Sequence, residues 1–179
     1  VERALDLDCE GQMIASVLSK KIAAGSTHLV LDLPVGPTAK VRSEEAATNL
    51  SRALIATAES FGLKAKVVMG DGTQPIGRGI GPALEAQDVL AVLQCSPNAP
   101  QDLRGRAITL AGALIELAGL TPSGLGEAKA ARVLDDGRAW AKFQRICEAQ
   151  GGMRVPPSSQ YRREIISRRS GRVEVVDNR

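Results

Sequence analysis

HLVLDLPVGPTAKVRSEEAATNLSRALIATAESFGLKAKVVM, residues 28–69, is the stretch that decides the fold. Its first six residues, His28–Leu33, are β-branched and leucine-rich and predict a short strand, which the PVGP that follows must end. Ser43, with Glu44, Glu45 and Ala46 after it, has the pattern of a helix N-cap followed by an acidic first turn. Ala47, Leu50, Leu54 and Phe61 then mark one helical face, and Gly62 stops the helix. Lys64–Met69 reads as a second strand. Strand, helix and strand joined by short connections argue for a βαβ unit and a parallel or mostly parallel sheet.

Working outward, Ile14, Val17, Leu18 and Ile22 recur at helical spacing between Gly11 and Ala24, with Gly25 as the C-cap. Beyond the second strand, Pro82 begins another helix, with Ala83, Leu84, Val89, Leu90 and Leu93 expected on its buried side. QDLRGRAITLAGALIELAGL and EAKAARVLDDGRAWAKFQRICEAQ are further helical stretches, the second interrupted at Gly137. GGMRVPPSSQ reads as a linker, and EIISRRSGRVEVVD after it as a hairpin turning at Ser170 and Gly171. The expected class is α/β: a mixed, mostly parallel sheet flanked by helices, with a C-terminal β-hairpin.

A chain of 179 residues is long enough for one well-packed domain. Apolar residues make up 44% of it but aromatics only 2%, so the core is expected from Ala, Val, Ile and Leu, which favours a helix-rich α/β fold over a β-sandwich. The formal charge of +3 is concentrated in Arg162, Arg163, Arg168, Arg169, Arg172 and Arg179, with Tyr161 the one aromatic near them. That pattern describes a solvated basic edge rather than a base-stacking surface, so no nucleic-acid polymer is expected as a partner. Cys9, Cys95 and Cys147 are far apart and in no metal-like spacing, which points to a reducing cytoplasm and no metal site. Without a charged-then-apolar leader or an apolar run near twenty residues, neither secretion nor a membrane is expected. The opening VERALDLD has no initiator Met and reads as the interior of a longer protein.

Three places invite a ligand. GDGTQPIGRGIGP follows the second strand and precedes a helix, the arrangement that cradles phosphate. It completes neither the dinucleotide fingerprint nor a Walker motif, and reads first as a tight turn. DLPVGPTAK ends a strand in a loop carrying Gly36, Thr38 and Lys40, beyond the carboxyl end where open α/β sheets bind ligands. On the opening helix, Gln12, Ser16 and Lys20 fall opposite the apolar side, and Ser16 and Lys20 are i, i+4 neighbours. A hydroxyl beside an ammonium can hold carbonyl or phosphate oxygens, although most such pairs face water. Asp8 just upstream is either a helix cap or an acid or base, and His28 reads as structural.

GQMIASVLSKKIAAG (residues 11–25), HLVLDLPVGPTAKV (28–41), QPIGRGIGPALEA (74–86) and GRVEVVDNR (171–179) together resemble the thymidine phosphorylase and AMP phosphorylase family in order and spacing. The resemblance covers essentially the whole chain. It implies a pentosyltransferase of nucleotide salvage: inorganic phosphate, as co-substrate, attacks the anomeric carbon of a nucleoside such as thymidine or of a nucleoside 5′-monophosphate such as AMP, releasing the base and a sugar 1-phosphate. No cofactor or metal is implied, and the full-length protein would be a homo-oligomer. By the same resemblance, Asp8 matches a proposed proton donor to the leaving base. Ser16 matches a serine that contacts the nucleotide or base, Lys20 a lysine that in pyrimidine members binds the base carbonyl, and Lys40 a lysine that binds AMP. QPIGRGIGP matches a family signature and is read as packing and turn geometry.

The resemblance also divides the chain. Residues 1–25 would belong to the family's helical domain, 26–152 to its α/β phosphorylase domain, and 153–179 to a linker and the start of a C-terminal β unit. Two departures accompany it. The place of the arginine that grips thymine in pyrimidine phosphorylases is Val1, which weakens the case for thymine, and the phosphate-binding loop of the family lies upstream of these residues. The expectation is therefore that the 179-residue polypeptide alone does not complete phosphorolysis. The rival reading is a non-catalytic nucleotide-binding or scaffolding module.

Overall fold

The computed structural model describes residues 9–174 and 176. In chain order the elements are α1 (Glu10–Ala23), β1 (His28–Val35), α2 (Glu44–Ser60), β2 (Lys64–Asp71), α3 (Pro82–Leu93), α4 (Gln101–Leu117), α5 (Gly126–Asp135) and α6 (Arg138–Ala149). β1 and β2 pair in parallel from His28 opposite Lys64 to Val35 opposite Asp71. Within the described residues the sheet has these two strands and is wholly parallel. α2 is the crossover that a parallel pair requires.

Local chemistry explains the βαβ unit. The Ser43 hydroxyl accepts a hydrogen bond from the Ala46 N–H (3.2 Å) and caps α2, whose first turn carries Glu44 and Glu45 against the positive helix end. Ala47, Leu50, Leu54 and Ala58 are the buried stripe of α2. They meet Leu29 and Leu33 of β1, Leu63, Val41 and Leu18 of α1 in one core, with Val17, Leu31, Ala65 and Val67 packed around it. Strand alternation puts Leu29, Leu31, Leu33 and Val35 on the face toward α1 and α2. Asp32 and Gly70, on alternate positions, face α4. There Arg106 forms a two-bond ion pair with the Asp32 carboxylate, its Nε donating to Oδ2 at 3.1 Å. A Cβ on Gly70 would overlap the Arg106 guanidinium, so glycine leaves room over β2 for the guanidinium where it meets Asp32.

β1 runs two residues past the expected end, through Pro34 and Val35, because Pro34 needs no donated hydrogen bond at that position and Gly72 N–H donates to Val35 O at 2.8 Å. Phe61 is the α2 C-cap residue and 61% exposed, not part of the buried face. On α3 the buried residue is Val92, whereas Leu84 is 50% and Val89 40% exposed. Val89 lines, with Val92, an apolar cleft against Leu103 and Ala107 of α4 that stays partly open to solvent, and Leu84 is outside that lining.

QPIGRGIGP does fold as turn geometry. Gly77 and Gly81 hold positive φ (79° and 104°), and Pro82 opens α3 at its first turn. The Asp88 carboxylate accepts from the backbone N–H groups of Arg78 and Gly79, both at 2.7 Å, and Asp102 accepts from that of Gly77 at 2.9 Å. The Gly79 bond first and the Arg78 bond second hold Asp88 below the ordinary aspartate pKa. A carboxylate depressed in this way stabilises the fold above its unfolded pKa and loses that contribution as pH falls through the folded value. An NMR titration of the Asp88 carboxyl carbon should therefore show a midpoint below that of an unstructured aspartate. A midpoint at or above it would contradict the loop anchoring.

The expected C-terminal hairpin is not seen among the described residues. Residues 151–174 and 176 contain no strand, and Val175 and Asp177 of the expected hairpin lie outside the described residues. Two strands alone are marginal in water, and Ile165 and Val173 are 95% and 75% exposed with no apolar surface over them. No helix among the described residues is long and apolar enough to cross a membrane.

Candidate functional site

A cleft of about 610 Å³ opens at the carboxyl ends of β1 and β2. α1 gives one wall, with Gln12, Met13, Ser16 and Val17. The loop from Thr38 to Val41 gives a second, Leu50 and Leu54 of α2 the floor, and Asp71, Gly72, Gln74 and Ile76 the far side. Ligands in open parallel sheets bind at this end because backbone groups are released there by the last ladder bonds.

Two glycines hold the cleft's loops together. A Cβ on Gly36 would lie 2.8 Å from the Gly72 carbonyl carbon and 2.9 Å from its oxygen. One on Gly72 would lie 3.0 Å from Val35 N and 3.1 Å from Ala39 Cβ. The loop after β1 and the loop after β2 therefore interlock backbone to backbone. The Gly36 N–H donates to Val41 O at 3.0 Å, which folds the 36–41 loop back over the cleft. Within it the Thr38 hydroxyl oxygen is buried and has no hydrogen-bond partner among the described residues.

Of the residues singled out from sequence, Ser16 on α1 and Lys40 in the loop after β1 both line this cleft. Lys20 lies one helical turn beyond Ser16, its Nζ donating to Ser16 Oγ at 3.4 Å, and stands outside the cleft lining. Asp8 lies outside the described residues. His28 Nδ1 is 3.0 Å from Thr27 Oγ1 at the opposite end of β1, consistent with a structural part. Among the described residues no group of three metal-ligating side chains comes together, and Cys9, Cys95 and Cys147 are free.

No family model matches the chain. Against individual proteins the likeness is extensive. All 179 residues align at 64% identity with "Putative thymidine phosphorylase" of Sphingopyxis alaskensis, covering 35% of that protein. They align at 61% with "Putative thymidine phosphorylase 1" of Acidovorax sp., covering 35%, and at 57% with the protein of the same name from Cupriavidus necator, covering 34%. These matches are consistent with a fragment of the thymidine phosphorylase family. The chain spans about a third of the length of these relatives.

The cleft also contains polar residues that sequence patterns had not singled out. Asp71 is the last residue of β2, and its Oδ1 accepts from Thr73 N–H at 2.8 Å. Gln74 follows it, and Gln12 completes the α1 wall. Gln12 was already on the polar side of α1 by helical spacing. Asp71 and Gln74 carried a different signal: they open the glycine-rich loop after a strand, which was weighed for its backbone rather than for its side chains.

Proposed function

We propose that this chain supplies the nucleoside-facing wall of a phosphorolytic active site, acting on a nucleoside or a nucleoside 5′-monophosphate with inorganic phosphate as co-substrate. The observation that carries the reading is the meeting of Ser16 and Lys40 in one cleft at the carboxyl ends of two parallel strands, in a chain with these matches. Ser16 and Lys20 hydrogen-bond the base, Lys40 holds an anionic or carbonyl oxygen of the nucleotide, and Asp8 protonates the departing base. The transition state is oxocarbenium-like, so the donors aimed at the base matter most as its negative charge develops. The phosphate nucleophile is bound by residues outside this segment, and the chemistry needs no metal or other cofactor.

AMP suits the site better than thymidine, because Lys40 offers a cation to a 5′-phosphate and Val1 stands where a thymine-gripping arginine is expected. The test is phosphate-dependent base release by a full-length chain carrying this segment, with thymidine and AMP compared. Release from AMP or thymidine supports the reading, and release from no nucleoside or nucleotide sinks it in favour of a binding or scaffolding module. The 179-residue chain by itself is expected to release no base under the same conditions.

A further inference from the structure

We propose that Asp71 selects the sugar, accepting hydrogen bonds from the vicinal hydroxyls of a ribose and so favouring ribonucleosides or ribonucleotides over their 2′-deoxy counterparts. The proposal deepens the nucleoside and nucleotide reading above and rests on it.

Three observations lead to it. Asp71 ends β2 directly opposite Val35, the last residue of β1, and lines the cleft that also holds Ser16 and Lys40. Alternation along β2 puts it on the same side as Ala65 and Val67, toward α1 and α2 and therefore toward that cleft. An acidic side chain at the carboxyl end of the second strand of a βαβ unit is where dinucleotide-binding folds seat ribose hydroxyls, since the strand end fixes the carboxylate beside the ligand's path.

The carboxylate is also held in place. Thr73 N–H donates to its Oδ1 at 2.8 Å, and Gly72 N–H donates to Val35 O at 2.8 Å, so the residues after Asp71 are tied to the loop and to β1. The bonds from Thr73 keep the group below the ordinary aspartate pKa and thus ionised at neutral pH. A carboxylate has about four lone-pair sites, so acceptor capacity remains for a pair of hydroxyl donors. Asp32, the other acidic residue along the cleft, turns its carboxylate toward α4, where Arg106 engages it in two bonds, and cannot serve the same purpose. A diol has two O–H donors, whereas a 2′-deoxyribose has lost one of them.

The experiment compares substrate pairs that share a base, AMP with dAMP and uridine with deoxyuridine, in a full-length chain. Wild type should favour the ribose member in kcat/KM by about 10- to 100-fold, the range expected for a hydrogen bond to a charged acceptor. Asp71→Asn should bring each pair within about threefold, with the loss falling on the ribose member. Equal or reversed preference in wild type would overturn the proposal, as would Asp71→Asn lowering both members alike. Calorimetric affinities of wild type for AMP and dAMP read the same preference without turnover. Absence of phosphorolysis therefore defeats the phosphorylase reading while the ratio of affinities still decides the sugar-selection proposal.

Discussion

Asp8→Asn in a full-length chain is expected to lower turnover by about 10²- to 10⁴-fold while leaving ligand affinity within about threefold. The base leaves as an anion unless it is protonated, and an amide of the same size keeps the hydrogen-bonding shape but has no proton to give. Loss of kcat at steady affinity is what distinguishes an acid used in the transition state from a group that merely binds. Steady-state kinetics with AMP and with thymidine, together with equilibrium affinities, measure both quantities. An unchanged kcat would remove Asp8 from the chemistry, and a parallel loss of affinity would make it a binding residue. In a non-catalytic module the substitution would alter no turnover at all.

Gly36→Ala is expected to destabilise the protein by about 1–3 kcal/mol, the usual range for forcing an extra carbon into a packed site. The new Cβ would have to fit 2.8 Å from the Gly72 carbonyl carbon and 3.0 Å from Thr73 N, and both are backbone atoms that cannot rotate away. Relief comes only by separating the two loops, which moves Asp71 and the 38–41 segment apart and opens the cleft. Thermal unfolding should show a fall of roughly 2–4 °C per kcal/mol for a chain of this size. Gly105→Ala on α4 is the control: a Cβ there meets nothing within 4 Å, so replacing a mid-helix glycine should stabilise by about 0.5–1 kcal/mol. Opposite signs for the two substitutions would establish the interlock, and a neutral Gly36→Ala would refute it.

Much of the α/β unit was legible because its determinants are local. The Ser43 cap, the acidic turn after it and the apolar repeat from Ala47 to Leu54 lie within one helix, and the strands on either side need only short-range composition to be recognised. The C-terminal hairpin has no counterpart in the described part of its segment, because a strand pattern is only a capacity to pair and no ladder or covering surface meets it there. Leu84 and Val89 were misplaced for a related reason: helical spacing identifies an apolar face but not whether another element covers it.

The site divides in the same way. Ser16 and Lys20 are one turn apart on a helix, so their proximity follows from spacing alone. That Lys40 shares a cleft with Ser16 depends on the 36–41 loop folding back, which the Gly36–Gly72 contact fixes across 36 residues of chain. Arg106 reaching Asp32 spans 74 residues and had no local trace. Asp71 needed the register of two parallel strands before it could be placed beside the other polar residues.

The account is tested most directly by locating the ligand in a crystal of a full-length chain soaked with AMP. Density is predicted in the cleft between α1 and the 38–41 loop, with Ser16 Oγ and Lys40 Nζ within hydrogen-bonding distance of the nucleotide and its ribose against Asp71. A nucleotide bound elsewhere, or a cleft left empty at saturating AMP, would contradict it.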